Sequence, residues 1–459
     1  MIVDPYTPVS GDSSYAAVHY DLDLDYKLAG NRLTATATID IRAREEIRSA
    51  AFDLVGLRVS RVKVAGDTRA SFRQTDRKVR VTFSTPLAAG DTARIAITYA
   101  GAPQPRRTRW GLLGWEELED GLIVASQPTG APTWFPCNDL PCEKSTYALR
   151  VATDPGYAVV TGATGTRARA GRRDAWSFTI DTPTPSYLLT LQIGPYRETA
   201  VDLAGVPGRL FHPAGLENRA AADFALLGDM MSAFAESFGP YPFPQYTIVV
   251  TQDDLEIPLE AQGMGIFGSN HIDGAGSLER LVAHELAHQW FGNSVGVEGW
   301  QHIWLNEGFA CYAEWVWAEA SGKATAHGLA LAHHARLAAL PQDLRVSDPG
   351  PDLMFDDRVY TRGALALHAL RLTVGDDPFF ALLREWTTRH RFGVVTTADF
   401  TALAEEQAGA ALGSLFAAWL DDTALPDLPK GGKRGARPAS ITERVGLIDA
   451  VFRRDRSRG

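Results

Sequence analysis

Cysteine is scarce in this chain, with 3 in 459 residues. An odd, low count excludes a disulfide scaffold and fits a reducing compartment. Cys137 and Cys142 are separated by four residues, which is not a zinc-ribbon spacing, and all three cysteines read as structural thiols. No apolar run reaches the roughly 18 residues that a spanning helix needs, so no membrane segment is expected. The stretch Met1–Ser14 has no basic start followed by an apolar core, so no signal peptide is expected and the cytoplasm is the expected location. Net positive charge is missing too. The formal net charge is -10, which argues against nucleic acid as the main partner, because phosphate binding needs basic surface. The local exception is 430–459, with nine Lys/Arg against three Asp/Glu; it is expected to be a flexible, solvated tail rather than a polyanion-binding arm.

What is present is ordinary for a globular protein: 45% hydrophobic and 22% charged residues. The length corresponds to roughly two or three domains with cores of their own. The first half alternates apolar and polar residues, in His19–Tyr26, Arg32–Ala43 and Lys78–Ser84, with turn clusters between. Period two marks half-buried strands, and many short strands imply a sandwich or a curved antiparallel sheet. Ser186–Gly194 reads as the last strand of that half. From about Asn218 apolar residues recur at three and four, up to the helix stop Gly239-Pro240. Pro244–Gln252 reads as a single strand-like insert, and helical periodicity then dominates to Leu420. The expected fold is α+β: an N-terminal antiparallel β-sandwich or saddle domain at 1–198, a mostly helical domain at 199–429, and the tail.

The segment Glu279–Val295 carries His284, Glu285 and His288. On a helix, positions i and i+4 share a face, so the two imidazoles can grip one ion. Glu285 sits beside the first of them, within reach of a water on that ion. A catalytic zinc takes three protein ligands and keeps one position open. The candidate third ligand is Glu307, eighteen residues after His288, an interval that accommodates a helix end, a loop and a second helix. One Zn2+ per chain is therefore expected. Lowering the pKa of a bound water to roughly 7 would make hydroxide available. Glu285 would accept its proton and pass it to the leaving amine, a task suited to a carboxylate.

At these residues the chain resembles the aminopeptidase N family of gluzincin metallopeptidases, which also includes the bifunctional leukotriene epoxide hydrolase. The resemblance is carried by HELAHQWFGN (His284–Asn293) and WLNEGFA (Trp304–Ala310). Further support comes from FPCND (Phe135–Asp139), FGPYPFP (Phe238–Pro244) and YTRGA (Tyr360–Ala364). It runs from about Asp4 to Pro429. Members are usually longer, with a large C-terminal helical domain; this chain is expected to be a short form that stops after the catalytic domain. The resemblance implies a zincin, thermolysin-like catalytic domain and a zinc-dependent aminopeptidase acting on peptides with a free N-terminus.

The resemblance also assigns roles. The tyrosine of the family's Tyr-x-(Lys/Arg)-Gly motif stabilises the oxyanion, and that residue is Tyr360 here. The family's Gly-Ala-Met-Glu-Asn segment, which recognises the substrate's ammonium, matches Ile257-Pro258-Leu259-Glu260-Ala261. Only its glutamate is retained, as Glu260, with Glu256 a nearby competitor. A second acceptor upstream of Phe-Pro-Cys corresponds to Gln127. Glu314, Asp253 and Asp254 are candidate partners for the second nitrogens of the ligand histidines. Asn293 and Asn306 are candidates for bracing the loop. Trp300, Trp304, Trp315 and Trp317 stand at helical spacing and read as core rather than as a stacking surface. The altered segment around Glu260 leaves a second reading open, an endopeptidase or other hydrolase, such as an epoxide hydrolase, on the same zinc machinery. A non-catalytic scaffold is the more distant alternative.

Overall fold

Alternation along Tyr15–Lys27 turns Tyr20, Leu22, Leu24 and Tyr26 inward and leaves Asp23, Asp25 and Lys27 at the surface. This strand sits in a seven-stranded sheet in the computed structural model, which describes residues 3–430; the tail beyond Lys430 lies outside the described residues. The strand order is Thr166–Ala170, Arg173–Pro185, Lys144–Thr153, Tyr15–Lys27, Arg32–Ala43, Thr92–Gly101, Arg58–Val64. Neighbours are antiparallel except for Tyr15–Lys27 and Lys144–Thr153, which run parallel with Tyr20 opposite Tyr147. Those two rings stack at 5.2 Å, and Phe135 meets Tyr20 edge-on at 5.5 Å.

A three-stranded sheet (Ile47–Asp53, Lys78–Leu87, Ser71–Gln74) and a five-stranded one complete the β-rich half. The five-stranded sheet includes Gly121–Ala125 and Gln192–Gly194. Ser186–Leu188, read from the sequence as strand, is a single 3-10 turn.

The second half opens with another five-stranded sheet: Arg197–Leu203, Val206–His212, Tyr246–Val250, Met264–Phe267 and Leu259–Ala261 in spatial order. The sequence shows only its middle strand. Leu259–Ala261 and Met264–Phe267 are too short to display a period, so their neighbours, not their pattern, define them. A small apolar cluster of Ile123, Val160, Phe211, Val249 and Met264 joins this sheet to the β-rich half.

Helices α1 (Glu217–Asp223) and α2 (Leu227–Phe238) replace the single helix that periodicity predicts. The chain turns at Phe224, which leaves the helical path to pack on Phe267 at 5.1 Å. Then follow α3 (Glu279–Ala287), α4 (Trp304–Ala320), α5 (Ala326–Ala338), α6 (Asp357–Val374), α7 (Asp376–Arg389) and α8 (Thr397–Ala408).

Trp290, Trp300, Trp304, Trp315 and Trp317 are all buried, each stabilising the core by roughly 1.5–3 kcal/mol or more. Helices α4 and α6 cross at Gly308 and Gly363. A Cβ on Gly308 would lie 2.9 Å from Gly363 Cα, so both glycines are required for that approach. The crossing brings the N-terminal turn of α4 and the first turns of α6 to the C-terminal end of α3.

Candidate metal centre

α3 carries His284, and His288, one turn on, caps its C-terminal end; the ring centroids lie 4.8 Å from each other. α4 begins at Trp304, so Glu307 lies in its first turn and faces both rings. Glu307 Oε2 is 3.3 Å from His288 Nε2 and 3.7 Å from His284 Nε2. The three ligand atoms of His284, His288 and Glu307 lie within 4.8 Å of one another, and all three residues are buried.

The outward nitrogens are already taken. His284 Nδ1 stands 2.7 Å from Glu314 Oε1, and His288 Nδ1 stands 3.1 Å from the Phe291 carbonyl. A carbonyl only accepts, so in the neutral ring His288 Nδ1 carries the hydrogen and Nε2 presents its lone pair inward. Glu314, itself held by Arg280 through two contacts of 2.9 Å, imposes the same tautomer on His284. Two Nε2 lone pairs and one carboxylate oxygen, each fixed by an outer partner, form the donor set that zinc takes in catalytic sites. The residues fit the metal.

The three groups also shift one another's titration. Burial pushes the Glu307 carboxyl up, but the two imidazoles outweigh it and hold it at about 2. Burial lowers His288, yet Glu260 and Glu307 raise it to about 9. His284 is also raised, by Glu307 and Glu314 against burial.

Glu285 and Glu260 complete a second group with His288, again with ligand atoms within 4.8 Å. Burial pushes Glu285 up to about 7, His284 opposes, and Glu260 adds. Glu285 Oε2 has no hydrogen-bond partner among the described residues. Glu260 is half-buried, on the outermost strand of its sheet, and burial raises its carboxyl as well. Glu256, its competitor from sequence, is exposed. Tyr360, in the first turn of α6, stacks on the His284 ring at 6.1 Å and 17°. Burial, Glu307, Glu260 and Glu285 all raise its hydroxyl, which therefore keeps its proton and remains a donor.

Gln127 is half-buried, and its amide nitrogen is buried with no partner among the described residues, so it forms no hydrogen bond to the histidines through that atom. Asp253 and Asp254 serve elsewhere, accepting from the Glu119 backbone and from Ser269. Of the three candidate outer carboxylates, Glu314 is the one on a histidine. Asn293 donates to the Ala261 carbonyl at 2.9 Å. Sequence reasoning missed two residues. Gln289 grips the turn after Glu260; its signal was the i+4 spacing from Glu285. Lys144, from the β-rich half, donates to the carbonyls of Asn293 and Ser294 at 3.1 and 2.9 Å; one lysine at a strand start gave no signal.

A β-rich half packed on a sheet-and-helix half, with a His-His-Glu cluster at the crossing of three helices, defines a two-domain metallopeptidase fold. The chain belongs to peptidase family M1: residues 224–419 match the M1 family domain and residues 16–188 match the M1 N-terminal domain. An M1 zinc metallopeptidase of Deinococcus radiodurans, in a mutant form bound to a Tyr-Ser-Ala substrate, superposes with a TM-score of 0.85. It is 31% identical, over 93% of this chain and 99% of that one. Aminopeptidase N of Streptomyces lividans is 27% identical, over 94% of this chain and 52% of its own length. Human endoplasmic reticulum aminopeptidase 1 is 25% identical, over 82% of this chain and 44% of its own. The chain spans about half the length of the curated relatives it matches. Among the described residues no helix is long and apolar enough to cross a membrane.

Proposed function

We propose that the protein is a zinc aminopeptidase, hydrolysing the first peptide bond of peptides with a free N-terminus. The observation that carries this reading is that two acidic groups of different role, Glu285 and Glu260, converge with His288 beside the His284–His288–Glu307 set. His284, His288 and Glu307 would hold the metal. Zinc bound there would supply Lewis-acid polarisation of the scissile carbonyl and a water acidic enough to deprotonate near neutrality.

Glu285 takes that proton on Oε2 and delivers it to the leaving amine, and a carboxyl near neutrality suits both tasks. Glu260 accepts the substrate's ammonium, which needs a carboxylate within hydrogen-bond reach. The Tyr360 hydroxyl donates to the carbonyl oxygen as negative charge develops on it. Gln127 is proposed as a further polar contact from the β-rich half. Helices α4 and α6 bring Glu307 and Tyr360 to the same imidazole: the carboxylate lies 3.7 Å from His284 Nε2, and the tyrosine ring stacks on the His284 ring at 6.1 Å. Three cysteines without a disulfide support a reducing compartment, and the cytoplasm is the proposed one.

The differing residues at Ile257 and Ala261 favour one rival, a hydrolase using the same centre without demanding a free amine. The test pairs zinc content with hydrolysis of free and N-acetylated aminoacyl amides, for wild type and Glu285→Gln. One zinc per chain, cleavage of free substrates alone and a silent variant that keeps its zinc are expected. Equal cleavage of the acetylated substrate would remove the aminopeptidase reading.

A further inference from the structure

Glu260 reaches the metal centre from a weak element. Its strand, Leu259–Ala261, is three residues long and paired on one side only, with Met264–Phe267. The loop between them has two residues, Gln262 and Gly263. Two-residue hairpin loops favour positive φ at the first loop position, because that twist matches the strands. Here only the second position has it, Gly263 at +72°. Neither pairing nor turn chemistry is enough to fix this hairpin, so the position of Glu260 needs outside support.

The Thr247 N–H donates to the Gly263 carbonyl at 2.9 Å and the Gln262 side chain bonds the Thr184 hydroxyl, while Gln289, which is fully buried, holds both ends of the loop. Its Oε1 accepts from the Gly263 backbone N–H at 2.8 Å, and its Nε2 donates to the Ala261 carbonyl at 3.2 Å. Both ends of the loop are thus bracketed by one amide. Asn293 adds a second donor to the Ala261 carbonyl, and the Gln262 N–H donates to the Leu188 carbonyl of the β-rich half at 3.2 Å. Gln289 follows Glu285 by four residues and touches its carbonyl at 3.4 Å, so the two side chains share a helical face. That face presents Glu285 toward Glu260 and Gln289 toward the loop behind it.

We propose that Gln289 is a positioning residue that sets the selectivity for free N-termini, resting on the aminopeptidase reading above. By clamping Ala261 and Gly263 to the helix that bears the histidines, it fixes the span between the metal centre and the Glu260 carboxylate. One residue adds at most about 3.6 Å of extended chain. A slack hairpin would therefore lose the distinction between an ammonium one residue beyond the scissile bond and an acylated nitrogen there. Gln289 itself touches no substrate; its effect passes through Glu260.

The experiment compares zinc-loaded wild type with Gln289→Met, which keeps length and bulk but neither hydrogen bond, and with Asn293→Ser. For each, zinc per chain, KM and kcat on free and N-acetylated aminoacyl amides, and calorimetric binding of leucinamide are measured. In Gln289→Met, KM for the free substrate and Kd for leucinamide should rise about tenfold, the scale of losing hydrogen bonds at a buried loop. The kcat should change less than about threefold, the zinc should stay, and the preference for free over acetylated substrate should shrink. Asn293→Ser should move the same quantities in the same direction, by less. Unchanged KM and Kd, a fall in kcat alone, or loss of zinc or folding in both variants would overturn the proposal. A wild type with no preference for the free amine would instead sink the aminopeptidase reading, before any variant is compared.

Discussion

Glu314 Oε1 lies 2.7 Å from His284 Nδ1. The same carboxylate is held by Arg280, so its orientation does not depend on the imidazole. Glu314 sits two turns after Glu307 on α4, and the helix therefore supplies both a proposed ligand and the outer partner of another proposed ligand. Removing one outer carboxylate in metal sites typically costs 10–100-fold in affinity. Glu314→Gln should accordingly weaken zinc binding by about 10- to 100-fold while leaving the fold intact. Competition with a chelator measures this directly, and activity should return when zinc is added in excess. Full retention of zinc against the chelator would mean that Arg280 or the helix alone orients the ring.

Asp139 makes a prediction about stability and pH. It is buried beside Asp53, its Oδ1 accepts from Ser186 at 2.8 Å, and its Oδ2 has no partner among the described residues. Burial pushes its carboxyl up to about 7; Asp53 adds, and Ser186, Arg106 and Lys78 oppose. A raised carboxyl holds its proton in the folded state when the unfolded chain, near 3.9, has lost it. The folded state then binds more protons, so stability falls as pH rises through that window and levels off above about 7. Asp139→Asn removes the titration. The variant should gain a few degrees in Tm over wild type at pH 8 and gain least near pH 4, where both carry a neutral side chain. Thermal unfolding at the two pH values decides it; an equal shift at both would show that packing, not charge, dominates.

Arg362 shows how the C-terminal turn is tied to the site. Two residues after Tyr360 on α6, it points to the opposite side of the helix and donates to the carbonyls of Ala418, Trp419, Asp422, Thr423 and Ala424. Those carbonyls close the wide helical turn Ala417–Asp421 and the segment after it. Arg362→Met keeps the aliphatic stem but leaves the carbonyls without their donor. A loss of about 2–4 kcal/mol follows from charged hydrogen bonds left unmade at a buried site. Denaturant unfolding should show it, and limited proteolysis should begin near 418–424. An intact terminus with unchanged unfolding would count against the clasp.

These relationships separate what the sequence discloses from what it hides. His284, Glu285 and His288 are readable because helical geometry converts their spacing into a shared site, and Glu307, on the next helix, is readable from its own WLNEG context after an interval that admits a loop and a second helix. Long strands such as Tyr15–Lys27 are readable because thirteen residues display several periods. The strand that bears Glu260 has three residues and no period of its own. Its place comes from Gln289, Asn293 and Leu188, contacts that no local pattern encodes. The break between α1 and α2 is hidden for a related reason: Phe224 fits a helical face as well as it fits the core against Phe267.

Gly363 offers the sharpest test of the helix crossing, because two effects of one methyl group oppose each other. In a helix interior, replacing glycine with alanine ordinarily stabilises by up to about 1 kcal/mol through backbone entropy. At this position a Cβ would stand 2.9 Å from Gly308 Cα, closer than real contacts allow. Overpacking of that kind costs about 1–3 kcal/mol, so Gly363→Ala should lower Tm in spite of the better propensity. The displacement is also directional. Gly308 follows Glu307 and Gly363 lies three residues after Tyr360, so forcing α4 and α6 apart separates the ligand from the hydroxyl. The kcat should fall more than zinc content does, because His284 and His288 remain on α3, which the substitution does not touch. A variant with raised Tm and unchanged kcat would show that the helices part without cost and that the glycine pair does not set the site.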